Sequence, residues 1–219
     1  MECKNCRGLC VKKGCQNRRQ KYYCKSCELY QQKTYTYKIC TLKDEETIVK
    51  LNNIGVSISG ISKFTGMSKA NVINKMKQIS RQIITPEIKE SHQDYEVDEM
   101  YTFIGNKKQA YYITYALNKK TKQVIDLVVG SRTKETIGKV INSLISLKPK
   151  QIFTDKLNIY PSLIEKKKHV ASAYKINHIE RFNLTLRTHL KRLSRKTICF
   201  SRSKEMLENC LRIYLWAEN

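Results

Sequence analysis

The sequence is poor in acidic residues, in proline and in long apolar runs. Its 219 residues include 19 Asp and Glu against 42 Lys and Arg, which gives a net charge of +23. Because it has only three prolines and 41% hydrophobic residues, its composition is that of a folded chain rather than a disordered one. The longest apolar run, AYYITYAL at 110–117, is far shorter than the roughly 20 residues of a membrane-spanning helix. The N-terminus, MECKNCRG, has no apolar segment of the secretory kind, so we expect a cytoplasmic protein with no membrane partner.

Two common catalytic motifs are also missing. The chain has no GxxxxGK[ST] phosphate loop, so ATP is not implied, and it has no HExxH motif. Its positive charge is spread over both halves of the chain, which favours a polyphosphate partner such as DNA or RNA. A generally basic, ribosome-associated protein would carry the same charge, so charge by itself does not indicate catalysis.

Cysteine is concentrated near the N-terminus, where six of the nine cysteines lie between residues 3 and 27. Cys3 and Cys6 form one CxxC pair and Cys24 and Cys27 form another, at the spacing of a structural zinc site. A disulfide framework is the alternative, but nothing in the sequence indicates an oxidising compartment. The segments QKYYC and ELYQQK read as short strands, so we predict a zinc ribbon over residues 1–40. Cys10 and Cys15 belong to no CxxC pair and are left out of the predicted site.

Residues 41–90 are predicted to form a small helical module. The segment DEETIVKLNNIG opens with acidic residues suited to a helix N-terminus and places Ile48, Leu51 and Ile54 on one face. The next segment reads as helix, tight turn and helix, with Gly66 in the turn, Ser68 as the N-cap, and Val72, Ile73 and Met76 in the buried stripe.

This order is typical of a helix-turn-helix, although a plain helical linker would show a similar periodicity. The second helix would present polar side chains to a major groove. The residues that we expect to contact DNA there are Lys69, Asn71, Asn74 and Lys75. The TPEIKE segment around Pro86 makes a plausible boundary.

Residues 91–219 alternate between strand-like and helix-like segments. The runs YEVDEMYTFIG, QAYYITYALN and QVIDLVVG predict three consecutive antiparallel strands. An amphipathic helix (SRTKETIGKVINSLISL), a fourth strand (KQIFTD), a further helix, a short strand near VASAY and a long basic helix from about residue 180 complete the series. This is the order of a ribonuclease-H-like domain, so the predicted fold class is mixed α/β (α+β).

Three carboxylates stand at the edges of these segments: Asp98, Asp155 and Glu180. Convergent carboxylates in a basic chain suggest divalent metals placed against a phosphodiester. Glu99 competes with Asp98, because neighbouring strand residues point to opposite faces and only one is expected to aim at the site. A helix cap at Asp155 and a helix-surface ion pair at Glu180 are the ordinary alternatives. His178, two residues before Glu180, either contacts substrate or is structural.

The block HIERFNLTLRTHLKRLSRKTICFSRS at 178–203 resembles the signature of the insertion-sequence-one family of bacterial and archaeal transposases. VDEMYTFIGNKK, GSRTKETI and TDKLNIY precede it in matching order, as do the cysteine cluster and the helical module. The resemblance implies a DDE transposase whose ribonuclease-H-like catalytic domain, over residues 91–219, uses two Mg²⁺ or Mn²⁺ ions. It assigns the catalytic triad to Asp98, Asp155 and Glu180.

The implied activity is metal-dependent cleavage and strand transfer at the terminal inverted repeats of an insertion sequence, by an oligomer assembled on double-stranded DNA. The basic residues after Glu180 would line one or two helix faces that hold DNA phosphates. Those that we expect to contact DNA are Asn183, Arg187, Lys191, Arg192 and Arg195. Two alternatives are a DNA-binding regulator with an inactive catalytic domain and a structure-specific nuclease of the same fold.

Overall fold

The computed structural model describes residues 1–16, 18–33, 41–85 and 91–217. The chain divides into two compact units, Met1–Ile39 and Cys40–Asn219. Within the described residues, no helix is both long enough and apolar enough to cross a membrane.

The first unit is a three-stranded antiparallel sheet. Its strands are β1 (Cys10–Gln16), β2 (Arg19–Cys24) and β3 (Tyr30–Gln32), in the order β1-β2-β3. The sequence predicted β2 and β3 but missed β1, because every residue of β1 after Cys10 is exposed and leaves no apolar alternation to detect. The buried centre consists of the thiols Cys3, Cys10 and Cys24 rather than aliphatic side chains. A unit this small, with so little apolar core, is of the kind that depends on a metal or disulfides for stability.

Three helices begin the second unit: α1 (Leu42–Asn53), α2 (Ile58–Thr65) and α3 (Lys69–Gln82). The predicted Ser68 N-cap of α3 is present, and its hydroxyl accepts from the backbone N–H of Asn71. Gly66, at φ +71°, ends α2 in the left-handed conformation that glycine adopts without strain. The predicted turn between the two helices is therefore confirmed.

The predicted apolar faces are confirmed, except that Ile54 is exposed and that Leu51 and Ile73 are only partly buried against the same cluster. Ile48, Val72 and Met76 are fully buried. Ile54, by contrast, is 67% exposed, because α1 has already ended and Ile54 is its C-cap residue. Ile73 is only half-buried, and the inner face of α3 continues through Ile79 instead.

A five-stranded mixed sheet forms the centre of the second unit. Its strands are β4 (Asp94–Phe103), β5 (Ala110–Asn118), β6 (Val124–Gly130), β7 (Gln151–Thr154) and β8 (His169–Ala171). Their order is β6-β5-β4-β7-β8, with β4, β5 and β6 antiparallel and with β7 and β8 parallel to β4. The predicted strand series and the mixed α/β class are thus confirmed, and β4 lies in the middle of the sheet.

Helices cover both faces of this sheet. Helix α4 (Lys134–Ser146) packs on one face with a cluster that includes Tyr95, Val97 and Tyr160. Helices α5 (Asn177–His189) and α6 (Lys204–Trp216) cover the other face, around Met100 and Tyr115.

Two helix predictions after Asp155 were wrong. The helix expected before β8 is only a single 3₁₀ turn, Tyr160–Ser162. The long basic helix expected from about residue 180 stops at His189, because Leu190 and Leu193 turn inward and are buried. Lys191, Arg192 and Arg195 therefore do not continue the faces of α5, and Lys191–Leu193 forms a separate 3₁₀ turn.

Helix α6 connects the helical module to the sheet. Leu207 and Leu211 pack towards the sheet, whereas Met206, Cys210 and Ile213 pack against α1–α3. Residues 41–85 and 91–217 therefore share a hydrophobic core and belong to one compact unit. The predicted functional division into 1–40, 41–90 and 91–219 stays a prediction, and the boundary expected around Pro86 lies outside the described residues.

Candidate functional site

Two aspartates meet where β7 ends beside the middle of the parallel strand β4. Strands β4 and β7 pair in register, with Glu96 opposite Phe153. Continuing that register by two residues puts Asp98 beside Asp155, which directly follows β7. Both acids therefore lie at the carboxyl end of β7, next to the middle of the sheet.

Glu99 joins these two aspartates. One carboxylate oxygen from each of Asp98, Glu99 and Asp155 lies within 4.8 Å of the other two, an arrangement that could hold a metal ion. The expectation that only Asp98 or Glu99 would aim at the site is therefore wrong. The reason is that β7 ends early. Glu96 is the last residue of β4 that pairs with β7, so beyond Glu96 this edge of β4 is open and side chains from both of its faces can reach it.

The Asp98 carboxylate is held from the α5 side of the sheet. The side-chain amide of Asn183 donates to Asp98 Oδ2 at 2.7 Å. Asn183 Oδ1 in turn accepts from the Tyr115 hydroxyl at 2.9 Å, and Tyr115 also donates to the backbone carbonyl of Ile179. This chain of hydrogen bonds ties Asp98 to the first turns of α5.

The Glu99 carboxylate is held from the opposite side. The hydroxyl of Tyr160 donates to Glu99 Oε1. Arg132 donates to Glu99 Oε2 from Nε at 3.1 Å, and its Nη2 lies 3.0 Å from the same oxygen. Arg132 Nη2 also lies 3.6 Å from Asp155 Oδ2, so one guanidinium spans two of the three acids.

Burial and charge raise the proton affinity of this cluster. Burial raises the pKa of both Asp98 and Glu99, and the charge of Asp155 adds to the effect, while the hydrogen bonds from Asn183 and Tyr160 oppose it. Partial burial opposes the charge on Arg132, but its hydrogen bond to Glu99 and the charges of Glu99 and Asp155 raise its pKa. Closely spaced carboxylates of this kind are stabilised by a divalent cation, so the residues present suit one.

Glu180, the third predicted acid, lies on α5 but outside this cluster. Its side chain is exposed, and within the described residues the acidic group comprises only Asp98, Glu99 and Asp155. Glu180 stands three positions before Asn183, so the two share one face of the helix near Asp98.

The start of α5 is fixed by a buried glutamate. Glu96 is fully buried and accepts from the backbone N–H of Ile179 at 2.7 Å, while His178 Nδ1 lies 2.7 Å from its other oxygen. Lys119 Nζ lies 3.5 Å from Glu96 as well. The His178 side chain thus contacts a buried acid, which agrees with the structural alternative for this residue.

The predicted DNA-contact residues occupy different surroundings. Lys69, Asn71 and Asn74 are exposed on α3, but Lys75 is paired with Glu45 at 2.7 Å. Asn183 is engaged with Asp98 rather than turned outward. Arg187 and Arg195 line a cavity of about 320 Å³. Lys191 is exposed, and Arg192 donates to the Ser201 hydroxyl at 3.0 Å.

The four predicted zinc ligands converge in the first unit. One sulfur atom from each of Cys3, Cys6, Cys24 and Cys27 lies within 4.8 Å of the others. The side-chain amide of Gln31 donates to Cys3 Sγ at 2.7 Å. Backbone hydrogen bonds, from Cys6 first, lower the pKa of Cys3 to about 5. This set suits a closed tetrahedral metal site, and Cys10 is packed beside it while Cys15 is exposed.

Comparison with known proteins places the chain in a family. Residues 94–218 match the model of the IS1 transposase family. The chain is 38% identical over 120 residues to the insertion element iso-IS1n protein InsB of Shigella dysenteriae, covering 55% of this chain and 92% of that protein. It is 36% identical over 120 residues to the insertion element IS1 4 protein InsB of Escherichia coli K12, covering 55% and 72%. The chain therefore belongs to the IS1 transposase family.

A solved structure gives only a distant likeness. The chain resembles a simian T-cell lymphotropic virus intasome, solved by cryo-EM with the PP2A regulatory subunit B56 gamma, at 15% identity and a TM-score of 0.34. The alignment covers 66% of this chain and 59% of that chain. The family match spans the five-stranded sheet and α4–α6, whereas the cysteine cluster and α1–α3 precede it.

Sequence reasoning missed several residues that the structure places at the site. Glu99 was set aside because strand alternation allowed only one of the two neighbours at the site and the family resemblance chose Asp98. Arg132 lay within the GSRTKETI motif, which indicated that the segment mattered but not what it contacts. No sequence pattern indicated Glu96 or Tyr160, because the residues that each of them contacts are distant in the sequence.

Proposed function

We propose that the protein is a DNA transposase that cuts at the ends of its insertion sequence and joins the freed ends to target DNA. The observation that carries the proposal is the carboxylate cluster formed by the middle of β4 and the residue after β7, in a chain of the IS1 transposase family. An acidic cluster in so basic a chain suits a metal-assisted reaction on a polyanion.

Asp98 and Asp155 would hold divalent Mg²⁺ or Mn²⁺, and Glu180 on α5 would complete the triad. Glu99 would lie next to this triad. When bound, the metals would activate the attacking oxygen and stabilise the leaving oxygen of an in-line displacement. Asn183 would orient the Asp98 carboxylate, and Glu96 would set where α5 begins and hence the reach of Glu180. These residues would work chiefly by positioning and charge neutralisation.

The DNA would lie along two basic surfaces. A groove of about 490 Å³ between α3 and the 198–203 segment is lined by four basic side chains. These are Lys69, Lys77, Arg192 and Arg202. Arg187 and Arg195 would hold phosphates nearer Asp98. Asn71 and Asn74 of α3 would read base edges, and phosphate contacts would supply most of the affinity.

The cysteine cluster would bind a structural Zn²⁺ and fold the first unit as a zinc ribbon. We also propose that the protein works in the cytoplasm, with its sheet and α4–α6 forming a ribonuclease-H-like catalytic domain. Two DNA ends must meet before joining, so it would act as an oligomer assembled on the terminal inverted repeats.

The test is strand cleavage by the purified full chain on a plasmid carrying the flanking inverted repeats, with Mg²⁺ or Mn²⁺. Asp155→Asn should abolish cuts at the element ends yet keep end binding, and Glu165→Gln, which changes an exposed acid, should cut normally. End binding by the wild type without any cut would support the regulator instead. Cutting that ignores end sequence would support a structure-specific nuclease. If Asp155→Asn lost both DNA binding and DNA cleavage, Asp155 would have a structural role instead.

A further inference from the structure

Arg132 is the only basic side chain, within the described residues, for which ion pairs to two members of the acidic cluster are found. Its guanidinium lies 3.0 Å from Glu99 and 3.6 Å from Asp155. The guanidinium carbon lies 5.5 Å from the centroid of the Tyr112 ring, which supports it from a third direction. Its side chain is 38% exposed, whereas the Glu99 side chain is fully buried.

The position of Arg132 is set by the backbone on both sides of it. Strand β6 ends at Gly130, and the Thr133 hydroxyl caps the start of α4 by accepting from the N–H of Thr136. Arg132 therefore stands in a three-residue connection between an edge strand of the sheet and a helix packed on that sheet. It also belongs to the GSRTKETI segment, to which the proposed reaction assigns no role.

The two contacts of Arg132 are unequal. Glu99 accepts a hydrogen bond from Arg132 Nε, lies 3.0 Å from Nη2 and is itself fixed by Tyr160, so this pair is tightly held. Asp155 meets a single nitrogen at a longer distance, and its side chain is 31% exposed. The contact with Asp155 is thus the one that a competing cation would break.

We infer that Arg132 is an internal cation that occupies part of the metal-binding face of Asp155, yields that face to a divalent ion, and then contacts the reacting phosphate while still anchored on Glu99. This rests on the proposed function for its last step, since a phosphate contact requires a phosphodiester at Asp98 and Asp155. The exchange itself is electrostatic and needs no bond to form or break. Arg132 would carry positive charge to the point where negative charge develops during displacement.

A purely structural ion pair makes a different prediction. If Arg132 only braced Glu99, its removal would disorder the acids and weaken metal binding. If it competes for Asp155, its removal should strengthen metal binding even though catalysis suffers. The two effects thus move in opposite directions only under the proposal.

The experiment compares Arg132→Gln with wild-type full chain in two assays. Mn²⁺ affinity is measured by calorimetry without DNA, and cleavage is measured on the inverted-repeat plasmid at saturating Mn²⁺. We expect Mn²⁺ to bind about tenfold more tightly to Arg132→Gln, because a like charge has been removed beside the ligands. Cleavage should fall on the order of 100-fold, as for the loss of one preorganised donor.

Lys134→Gln is the matched control, since it removes one positive charge two residues away at an exposed position. It should leave both the Mn²⁺ affinity and cleavage near wild type. Arg132→Lys keeps the charge without the fork of donors, so it should keep the wild-type Mn²⁺ affinity and still cut slowly. Thermal unfolding of each variant shows that it is folded.

Unchanged or weaker Mn²⁺ binding by folded Arg132→Gln would overturn the inference, as would an equal gain in Lys134→Gln. If the wild type itself does not cut, the proposed function and the phosphate contact fail together, whereas the Mn²⁺ titration still decides whether Arg132 competes for Asp155. The two failures are therefore distinguishable.

Discussion

The side-chain amide of Asn183 donates to the Asp98 carboxylate at 2.7 Å, across 85 positions of sequence. Tyr115 fixes the same amide from its other end, so the amide nitrogen points at Asp98. Asn183 was predicted to contact DNA, but in the structure its amide is directed at an acid. We therefore propose that Asn183 positions the Asp98 carboxylate.

Asn183→Ala should lower the cleavage rate by about 10- to 100-fold, the usual cost of removing a partner that orients a metal ligand. The Asn183 hydrogen bond lowers the pKa of Asp98, so its loss should also move the acidic limb of the pH–rate profile to higher pH. Cleavage rates measured across pH check both effects. Thr188→Ala, at an exposed position of the same helix, should change neither. A slower variant with an unmoved profile would leave Asn183 with a merely structural role.

The raised pKa of Asp98 predicts how stability depends on pH without metal. The folded protein binds this proton more tightly than the unfolded chain, so the free energy of unfolding should fall as pH rises from about 4 through the raised pKa. The loss is about 1.4 kcal/mol for each unit by which the pKa is raised. Asp98→Asn should remove this part of the pH dependence and be more stable than wild type at neutral pH.

Denaturant unfolding in EDTA at several pH values measures this difference, with added Mg²⁺ as the control. The cation should stabilise the wild type at neutral pH and have little effect on Asp98→Asn. Equal stability of the two proteins across the whole pH range would contradict the assignment of a buried, ionised Asp98.

The cysteine cluster predicts a sharp contrast between two substitutions. Cys24→Ser removes a buried sulfur from the cluster and should abolish zinc binding, whereas Cys15→Ser changes an exposed thiol outside it and should not. Elemental analysis measures the zinc content, and amide hydrogen exchange in residues 1–33 measures whether the first unit stays folded. Full zinc retention in Cys24→Ser would rule out the four-cysteine site.

The exposed face of α3 predicts separate effects for its neutral and charged residues. Asn71→Ala with Asn74→Ala should reduce the preference for the inverted repeats by about 1–3 kcal/mol for each base that is no longer read, with an unchanged salt dependence. Lys69→Ala should instead weaken binding to all DNA and lower the salt slope by about one. Binding titrations over a range of salt concentrations separate the two. A general loss of binding in the asparagine variant would contradict base reading by α3.

The local part of this fold could be predicted from the sequence. The strands β4–β7 show in their apolar runs, the Ser68 cap and the Gly66 turn follow from backbone preferences, and the CxxC spacing determines which thiols can share a metal. Each of these features depends on residues within a few positions of one another. Where that local signal was weak or contradictory, as at the exposed β1 and at the end of α5, the prediction failed.

The site itself was decided by the tertiary structure. That Glu99 joins Asp98 and Asp155 depends on where β7 stops along β4, and that Arg132 spans two of the acids depends on how α4 follows β6 onto the sheet. The sequence by itself determined the family, the strand series of the central sheet, and Asp98 and Asp155 as candidate acids. Strand register and core packing decided which acids converge and which cation lies among them. Both bring together residues that are far apart in the chain, and nothing in the local sequence indicates that such residues will be in contact.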